Sequence, residues 1–199
     1  MSLYWPTKRG TFNIVPRGVL GGKAHVMILR LAFYIVITVA LFGIICSPAD
    51  AQAVAAFDFE LIDTSLEGAT NGVRADEQAR LSRLSNQLRQ RLAESGRFSL
   101  VDISPIADEA RASNLQACRG CDTRLAKRIG AEFAITGTVQ KVSNLILNMN
   151  IYIRDVSSGG TVAAMSADMR GNTDESWSRT LDWLIRNRLL APGGLQRVP

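Results

Sequence analysis

The chain has 199 residues, enough for one domain with a hydrophobic core, and a formal net charge of +5 at pH 7. Residues 1–51 carry five basic residues against Asp50 alone, whereas basic and acidic residues are almost balanced in the rest of the chain, so the domain is not expected to bind nucleic acid. The single histidine, His25, lies in the same N-terminal segment, which excludes Ser-His-Asp catalysis, Cys-His catalysis and histidine-ligated metal sites from the remainder.

The N-terminal segment predicts export. Residues 31–46 form an uncharged apolar run, and Ala49-Asp50-Ala51 fits the small-x-small rule for signal peptidase, with cleavage before Gln52. An uncleaved anchor is the alternative, because the run is close to the minimum length that spans a bilayer. Either way the domain lies outside the cytoplasm, as a periplasmic or secreted protein or as a periplasmic domain anchored in the inner membrane.

These signals divide the chain into four parts. Residues 1–26 are an N-terminal extension or the result of a misassigned start, because Met27 opens a conventional signal. Residues 27–51 are a signal peptide or a membrane anchor, residues 52–191 a single globular domain, and residues 192–199 a flexible tail. Contact with a membrane is expected only through an uncleaved signal.

Hydrophobic periodicity predicts the elements of the domain. The clearest helix covers residues 76–95, where Leu81, Leu84, Leu88 and Leu92 form one apolar stripe. In chain order the predicted elements are strand 54–60, a polar loop over 61–75, helix 76–95, strand 97–102, helices 104–112 and 122–129, three strands within 132–170, and a last helix opened by Asn172-Thr173-Asp174-Glu175 and stopped by Pro192-Gly193-Gly194.

The order β-α-β-α-α-β-β-β-α predicts an α+β fold with a mixed five-stranded sheet and helices packed on it. The first three strands are joined by helices and are expected to run parallel, whereas the last three form an antiparallel meander. The carboxyl ends of strands one, two, three and five then share one edge, which is where open sheets bind ligands. We hypothesise that this edge binds a partner through Asp63, Thr64, Glu67, Lys141, Asn144, Asn172 and Asp174.

Two further expectations concern this binding surface. Substituting Asp63, Lys141 and Asp174 together should abolish partner binding while leaving thermal stability near that of the wild type. Trp183 lies off the apolar stripe of the last helix, so it is a further candidate for a partner contact if its ring is exposed.

Cys118-Arg119-Gly120-Cys121 is the sharpest local motif, and the favoured interpretation is a structural disulfide or loop staple. A reactive thiol at Cys118 is the alternative, since Arg119 and the following helix start would lower its pKa. The motif departs from the thioredoxin pattern, because it lies between two short helices and no proline is placed to open a strand as a cis residue. Haem attachment would need histidine where Asp122 stands, and zinc would need two further ligands.

Four carboxylates, Asp58, Glu60, Asp63 and Glu67, lie near the end of the first strand. They are candidates for acid, base or cation-binding roles, but no basic partner or oxyanion donor is identifiable beside them, so solvated carboxylates and turn formers are favoured. Glycine-rich phosphate loops are absent, and neither a cofactor nor a metal is expected.

Particular stretches carry two resemblances. VAAFDFE, the long helix, RFSLVD and IGAEFAITGTV resemble the amino-terminal domain of TolB and the curli-secretion-channel type of envelope domain. More closely, FDFELIDTSLEG, SNLQACRGC, QKVSNLILNMNI and RGNTDESW resemble a proteobacterial family of secreted proteins that is known only as a domain of unknown function. That family implies no activity, whereas the wider group implies a non-catalytic role in the cell envelope, usually the binding of another protein.

We therefore expect a secreted, non-catalytic accessory or assembly module that binds another envelope protein. The alternative is a periplasmic thiol-disulfide redox protein that uses Cys118 and Cys121. A third possibility, a hydrolase that uses the carboxylates, has nothing in the sequence to position a substrate. Replacing both cysteines with serine separates the first two hypotheses, because it should disable a redox protein and leave a binding module functional.

Overall fold

A computed structural model describes residues 51–192 of the chain. The predicted extension, almost all of the predicted signal peptide and the tail beyond Pro192 lie outside the described residues. Among residues 51–192, no helix has both the length and the apolar character needed to cross a membrane.

The described region alternates strands and helices before a three-stranded meander. The strands are β1 (Gln52–Ala56), β2 (Glu60–Asp63), β3 (Phe98–Leu100), β4 (Phe133–Lys141), β5 (Leu147–Asp155) and β6 (Thr161–Met169). The helices are α1 (Leu66–Asn71), α2 (Ala75–Glu94), α3 (Ala107–Ala112), α4 (Cys121–Arg128) and α5 (Asp174–Leu184), with a 3-10 turn (Ser104–Ile106) before α3 and a π-helical turn (Ile185–Leu189) after α5.

The strands form one mixed sheet in the order β3-β1-β4-β5-β6, and β2 also pairs with β4. β1, β2 and β3 run parallel to their neighbours, while β4, β5 and β6 form an antiparallel meander. The predicted α+β class, the parallel first half and the antiparallel second half are therefore confirmed.

The sheet has six strands where five were predicted, because the first predicted strand is interrupted. Ala56 pairs with Ile135 and Glu60 pairs with Thr138, so this segment uses four residue steps where β4 uses three. The extra residue acts as a bulge and reverses the alternation of side chains. Val54 and Ala56 face α2 in β1, whereas the odd-numbered side chains of Phe59 and Leu61 do so after the bulge.

The predicted polar loop over residues 61–75 is wrong in part. It contains most of β2 and all of α1, whose N-cap Ser65 accepts a hydrogen bond from the amide of Gly68. Both elements are too short for periodicity to reveal, since β2 has four residues and α1 has six. Together they bring a second parallel strand and a helix to the carboxyl end of β4.

Two hydrophobic cores pack on the two faces of the sheet. On the first face, the leucine stripe of α2 and the apolar side of α5, with Trp177 and Leu181, cover β1, β4, β5 and β6. On the second face, α3 and α4 cover Ala55, Phe57 and Ala134. The first core is the larger, and it ends at the carboxyl edge of the parallel strands, where polar residues replace the apolar ones.

Candidate interaction site at the carboxyl edge of the sheet

All seven polar residues predicted for the binding edge lie together at the carboxyl ends of β2 and β4. We call this region the carboxyl edge; it comprises the end of β2, α1, the first turns of α2 and α5, and the β4–β5 hairpin. Thr64 joins it through two hydrogen bonds, because its amide nitrogen and its Oγ1 both donate to the carbonyl oxygen of Lys141, at 2.9 and 3.1 Å.

Lys141 is the centre of the carboxyl edge. It points into the first face of the sheet in the same alternation as Val139, and it is fully buried. Its Nζ donates to Glu77 Oε1 at 2.7 Å, to Glu67 Oε2 at 3.1 Å and to Asp63 Oδ2 at 3.2 Å. Three carboxylates from β2, α1 and α2 therefore converge on one ammonium group of β4.

Two asparagines extend the network towards the surface. Asn144 Nδ2 donates to Glu67 Oε2 at 2.8 Å, and Asn172 Nδ2 donates to Glu77 Oε1 at 2.6 Å and to Asn144 Oδ1 at 3.1 Å. These bonds tie the β4–β5 hairpin to α1 and the start of the last helix to α2.

The last predicted residue, Asp174, is joined to the network by arginine. Arg80 donates from Nε to Asp174 Oδ1 at 2.7 Å and from Nη1 to Asn172 Oδ1 at 2.9 Å, and its guanidinium carbon lies 5.1 Å from the ring centre of Trp177. Arg83 also donates to Asp174, at 2.7 Å. All of the predicted edge residues thus have partners within the chain.

Sequence reasoning missed Glu77 and Arg80, which are both buried. Glu77 lies four residues before Leu81, and Arg80 lies four residues before Leu84, so each continues the apolar stripe of α2 by one turn. A charged residue in register with an apolar stripe is a signal that it has a buried partner, because an isolated buried charge is costly.

The network shifts the pKa values of its members. Burial disfavours the charged form of Lys141, but the hydrogen bonds to Glu77, Glu67 and Asp63 outweigh it, so the pKa of Lys141 lies above its ordinary value. Burial of Asp63 is likewise outweighed by hydrogen bonds from Ser65 and Lys141, and its pKa is lowered. The pKa of Glu67 is lowered by hydrogen bonds from Lys141, Arg74 and Asn144.

Two carboxylates at the periphery of the network are held ionised by arginines. Hydrogen bonds from Arg80 and Arg83 lower the pKa of Asp174, and those from Arg74 lower the pKa of Asp76 to about 2. The carboxyl edge is therefore an ionised cluster across the neutral pH range.

These shifts predict loss of stability in acid. A carboxylate whose folded pKa is depressed stabilises the fold above its unfolded pKa, here 3.8 for Asp and 4.5 for Glu, and this contribution is lost as pH falls through the folded value. Lys141 has a raised pKa, so its contribution is complete below 10.5 and is lost only above that value. The midpoint of thermal unfolding should be flat from about pH 5 to 9 and should fall steeply between about pH 4 and 2.

The control for this titration is Asp63→Asn, which keeps an oxygen that can accept from Ser65 and removes the charge. Its unfolding midpoint should depend less on pH below 4 than that of the wild type. Glu60 has the opposite effect on the pH dependence of stability, because burial raises its pKa in spite of hydrogen bonds from the amides of Leu115 and Gln116. An identical acid slope for Asp63→Asn would contradict the assigned role of Asp63.

Large apolar side chains are exposed around the ionised cluster. Among the described residues, the large hydrophobic side chains that are exposed come from this region, with the exception of Trp183. Leu66 is 83% exposed, Val73 is 77% exposed and Leu145 is 73% exposed. We call this set the apolar rim, and it consists of Ile62, Leu66, Val73, Val142, Leu145 and Ile146.

The other residues singled out in the sequence lie away from the carboxyl edge. Cys118 and Cys121 form a disulfide. Cys118 lies just before α4, and Cys121 is the first residue of α4 and is buried in the second core. Trp183 is 43% exposed near the end of α5, and the guanidinium carbon of Arg188 lies 5.7 Å from its ring centre.

The predicted carboxylate cluster is divided between two places. Asp63 and Glu67 bind Lys141, whereas Asp58 lies in the bulge and pairs with Arg89, and Glu60 accepts from the amide of Leu115 at 2.9 Å. The expectation that these carboxylates have no basic partner is therefore wrong for three of them. Within residues 51–192, no group of three or more His, Cys, Asp or Glu residues is arranged to hold a metal ion.

Comparison with known proteins places the chain in a family. Residues 52–189 match DUF3280, which is described as a protein of unknown function (DUF2380). The chain belongs to this family. The resemblance to a domain of unknown function is thereby confirmed, and no curated protein matches the sequence.

Several solved structures resemble this DUF3280 chain at low sequence identity. The LpoB C-terminal domain from Salmonella enterica is 15% identical, with 66% of this chain and 90% of that chain covered and a TM-score of 0.42. Lipoprotein GNA1162 from Neisseria meningitidis is 15% identical, with 69% and 92% covered and a TM-score of 0.42. TolB from Acinetobacter baumannii is 13% identical, with 70% and 28% covered and a TM-score of 0.37. The expected distant similarity to TolB is thus confirmed, but similarity at this level carries no argument about function.

Proposed function

We propose that this DUF3280 protein is a non-catalytic module of the cell envelope that binds another envelope protein through its carboxyl edge. The observation that carries the proposal is the apolar rim. Isolated hydrophobic residues on a surface need no explanation, but a group of them collected at one edge is typical of an interaction surface. The export signal predicted at residues 27–51 supports the location in the envelope.

Hydrogen bonds connect the segments that carry the apolar rim. Thr64, Glu67 and Asn144 connect β2, α1 and the β4–β5 hairpin, so the rim side chains on these elements are presented on one braced framework. A rigid framework lowers the entropy cost of binding, because the contact residues are ordered before the partner arrives. In this proposal the buried polar residues position the surface, and the exposed apolar residues contact the partner.

A protein partner fits this surface better than a lipid membrane. Binding to an anionic membrane surface needs a surplus of Lys and Arg. The segments that carry the rim, residues 60–74 and 139–148, contain only two basic residues, Arg74 and Lys141. Arg74 is paired with Glu67 and Asp76, and Lys141 is buried. No basic side chain of these two segments is therefore available to a phospholipid headgroup.

The proposal predicts that charges in the apolar rim abolish partner binding. In the double variant Leu66→Asp and Leu145→Asp, both positions are highly exposed, so the free energy of unfolding should change by no more than about 1 kcal/mol. A tagged protein cross-linked in its own cell envelope should co-purify one stoichiometric partner as the wild type and at least tenfold less of it as this variant. Undiminished recovery of the partner would contradict the proposal.

Three control variants make this experiment decisive. Ala164→Asp places a charge on an exposed position of β6, away from the rim, and should leave partner recovery unchanged. Trp183→Ser tests whether Trp183, an exposed aromatic residue outside the apolar rim, also contacts the partner. Cys118→Ser with Cys121→Ser should also leave recovery unchanged, whereas loss of function in this variant, with partners trapped only through Cys118, would favour the thiol redox alternative.

A further inference from the structure

A second surface of the molecule has the features of a binding site. A cleft of about 480 Å³ lies beside β2, between α2 on the first face of the sheet and α3 on the second. We call it the β2 cleft. Its volume is within the range of about 300–1,000 Å³ that is usual for ligand pockets. Its walls include Leu81 and Ser82 from α2 and Ala107 and Ala110 from α3.

An unpaired strand edge forms the floor of the β2 cleft. β3 pairs with β1 only as far as Val54, and its chain then turns away into the 3-10 turn before α3. β2 pairs with β4 on one side, and among the described residues no strand pairs with its other side. The position next to β2, where a further strand would lie, is therefore occupied by the cleft.

Backbone hydrogen bonds show which groups point into the cleft. The amide of Thr64 donates to Lys141, so even-numbered residues of β2 point their backbone groups towards β4 and odd-numbered residues point theirs away. Side chains of α2 bond this outer edge at two earlier positions, because Arg89 donates to the carbonyl oxygen of Ala56 and Ser85 Oγ accepts from the amide of Phe59. Leu61 is the next residue whose backbone groups point away from β4. Within residues 51–192, its N–H and C=O groups have no strand partner.

The charge of the cleft selects the side chains of a ligand. Glu60 lines the cleft and forms no salt bridge to any described residue; its carboxylate accepts hydrogen bonds from the backbone amides of Leu115 and Gln116. The other charged groups that line the cleft are compensated, since Asp58 pairs with Arg89 and Arg111 pairs with Asp108. A cationic side chain beside Glu60 would therefore be favourable.

We propose that the β2 cleft binds an extended peptide segment of a partner protein, which adds as a short parallel or antiparallel strand beside Leu61 and places a Lys or Arg side chain against Glu60. Neighbouring residues of an extended strand point to opposite faces, so the residue next to the basic one points towards α2 and should be apolar, to contact Leu81. Main-chain hydrogen bonds to Leu61 supply affinity, and the alternating side chains supply specificity. Four residues of such a strand span about 13 Å.

Random nine-residue peptides displayed on phage, selected against the immobilised full chain, test this site. The enriched peptides should share an apolar residue next to a Lys or Arg. In fluorescence anisotropy titrations with a synthetic copy of the best peptide, Ser82→Trp should weaken binding at least tenfold, because an indole on α2 fills the cleft. Ala93→Trp is the matched control, since Ala93 is exposed on the same helix about 16 Å further along, and it should bind as the wild type.

Two further measurements identify strand addition and the role of Glu60. Methylation of one backbone amide of the peptide should weaken binding at least tenfold, whereas methylation of the next amide, which points away from β2, should have little effect. Glu60→Gln keeps an oxygen for Leu115 and should weaken binding about five- to tenfold, but only for peptides that contain the basic residue. Failure to enrich any peptide, equal affinity of Ser82→Trp, or equal effects of the two methylations would overturn the proposal.

This site and the carboxyl edge can fail independently. The peptide titrations use the purified chain without an envelope partner, so they do not depend on the function proposed for the carboxyl edge. The rim variant Leu66→Asp and Leu145→Asp should bind the selected peptide with unchanged affinity. A loss of peptide binding in that variant would show that the two surfaces are one site.

Discussion

Replacing Lys141 with Met should lower the free energy of unfolding by about 3–5 kcal/mol, the cost expected when one partner of a buried ionic network is removed. The methionine side chain fills much of the same space, but Glu77, which is fully buried and 2.7 Å from Nζ, would be left without its cation. Glu77 Oε2 already lacks a hydrogen-bond partner in the folded chain, and after the substitution its Oε1 would keep the neutral donor Asn172 Nδ2 but no cation. Urea unfolding should show a lower midpoint with an unchanged slope.

The matched control is Arg74→Met, because Arg74 also donates to Glu67, at 2.6 Å, but is 41% exposed. This substitution should change stability little, since exposed ion pairs contribute little after solvent screening. Adding Glu77→Leu to Lys141→Met should recover part of the loss, because both members of the closest pair then become apolar. A small effect of Lys141→Met would show that the network is not needed for folding.

The burial of Lys141 also changes how a loss of partner binding in the triple variant would be interpreted. The substitution of Asp63, Lys141 and Asp174 together, expected from the sequence to leave thermal stability near wild type, should instead destabilise the domain. Any loss of partner binding in that variant would then report unfolding rather than a lost contact. This is why the test of the carboxyl edge uses the exposed residues Leu66 and Leu145.

Sequence alternation was sufficient to place the carboxyl edge, but not to separate contact residues from buried ones. Parallel strands ending together bring Asp63, Lys141 and Asn172 to one place whatever the length of the strands. Polarity alone, however, assigned Lys141 to the partner-binding surface, because lysine is rarely buried without partners. The partner that decides the outcome, Glu77, comes from α2, and only its register with the leucine stripe indicated that it points inward.

Hydrophobic periodicity does not reveal the bulge between β1 and β2. The sequence VAAFDFE alternates well enough to be one strand, and a single strand would place Phe59 on the same face as Phe57. One extra residue reverses that assignment, and a single residue leaves almost no signal in a short strand. Because of this bulge, Leu61 faces α2 and points its backbone groups away from β4, towards the β2 cleft.

Gly137→Ala should destabilise the domain by about 1–3 kcal/mol, the range expected for overpacking a core. A Cβ atom at position 137 would lie 2.5 Å from Cζ and 2.6 Å from Cδ1 of Phe59, with Cε1 of the same ring closer still. Phe59 is only 4% exposed and packs in the first core, so its ring cannot simply turn away. The effect is steric, because the backbone of Gly137 does not have a positive φ.

A double-mutant cycle with Phe59→Ala separates this clash from any other cost of the new methyl group. Removing the ring alone should cost about 3–5 kcal/mol, but Gly137→Ala should then be nearly neutral, because the methyl group enters the space left by the ring. Additive effects of the two substitutions would contradict the steric explanation. The expected coupling would show that the absence of a side chain at Gly137 allows the Phe59 ring, which also lines the β2 cleft, to pack directly over β4.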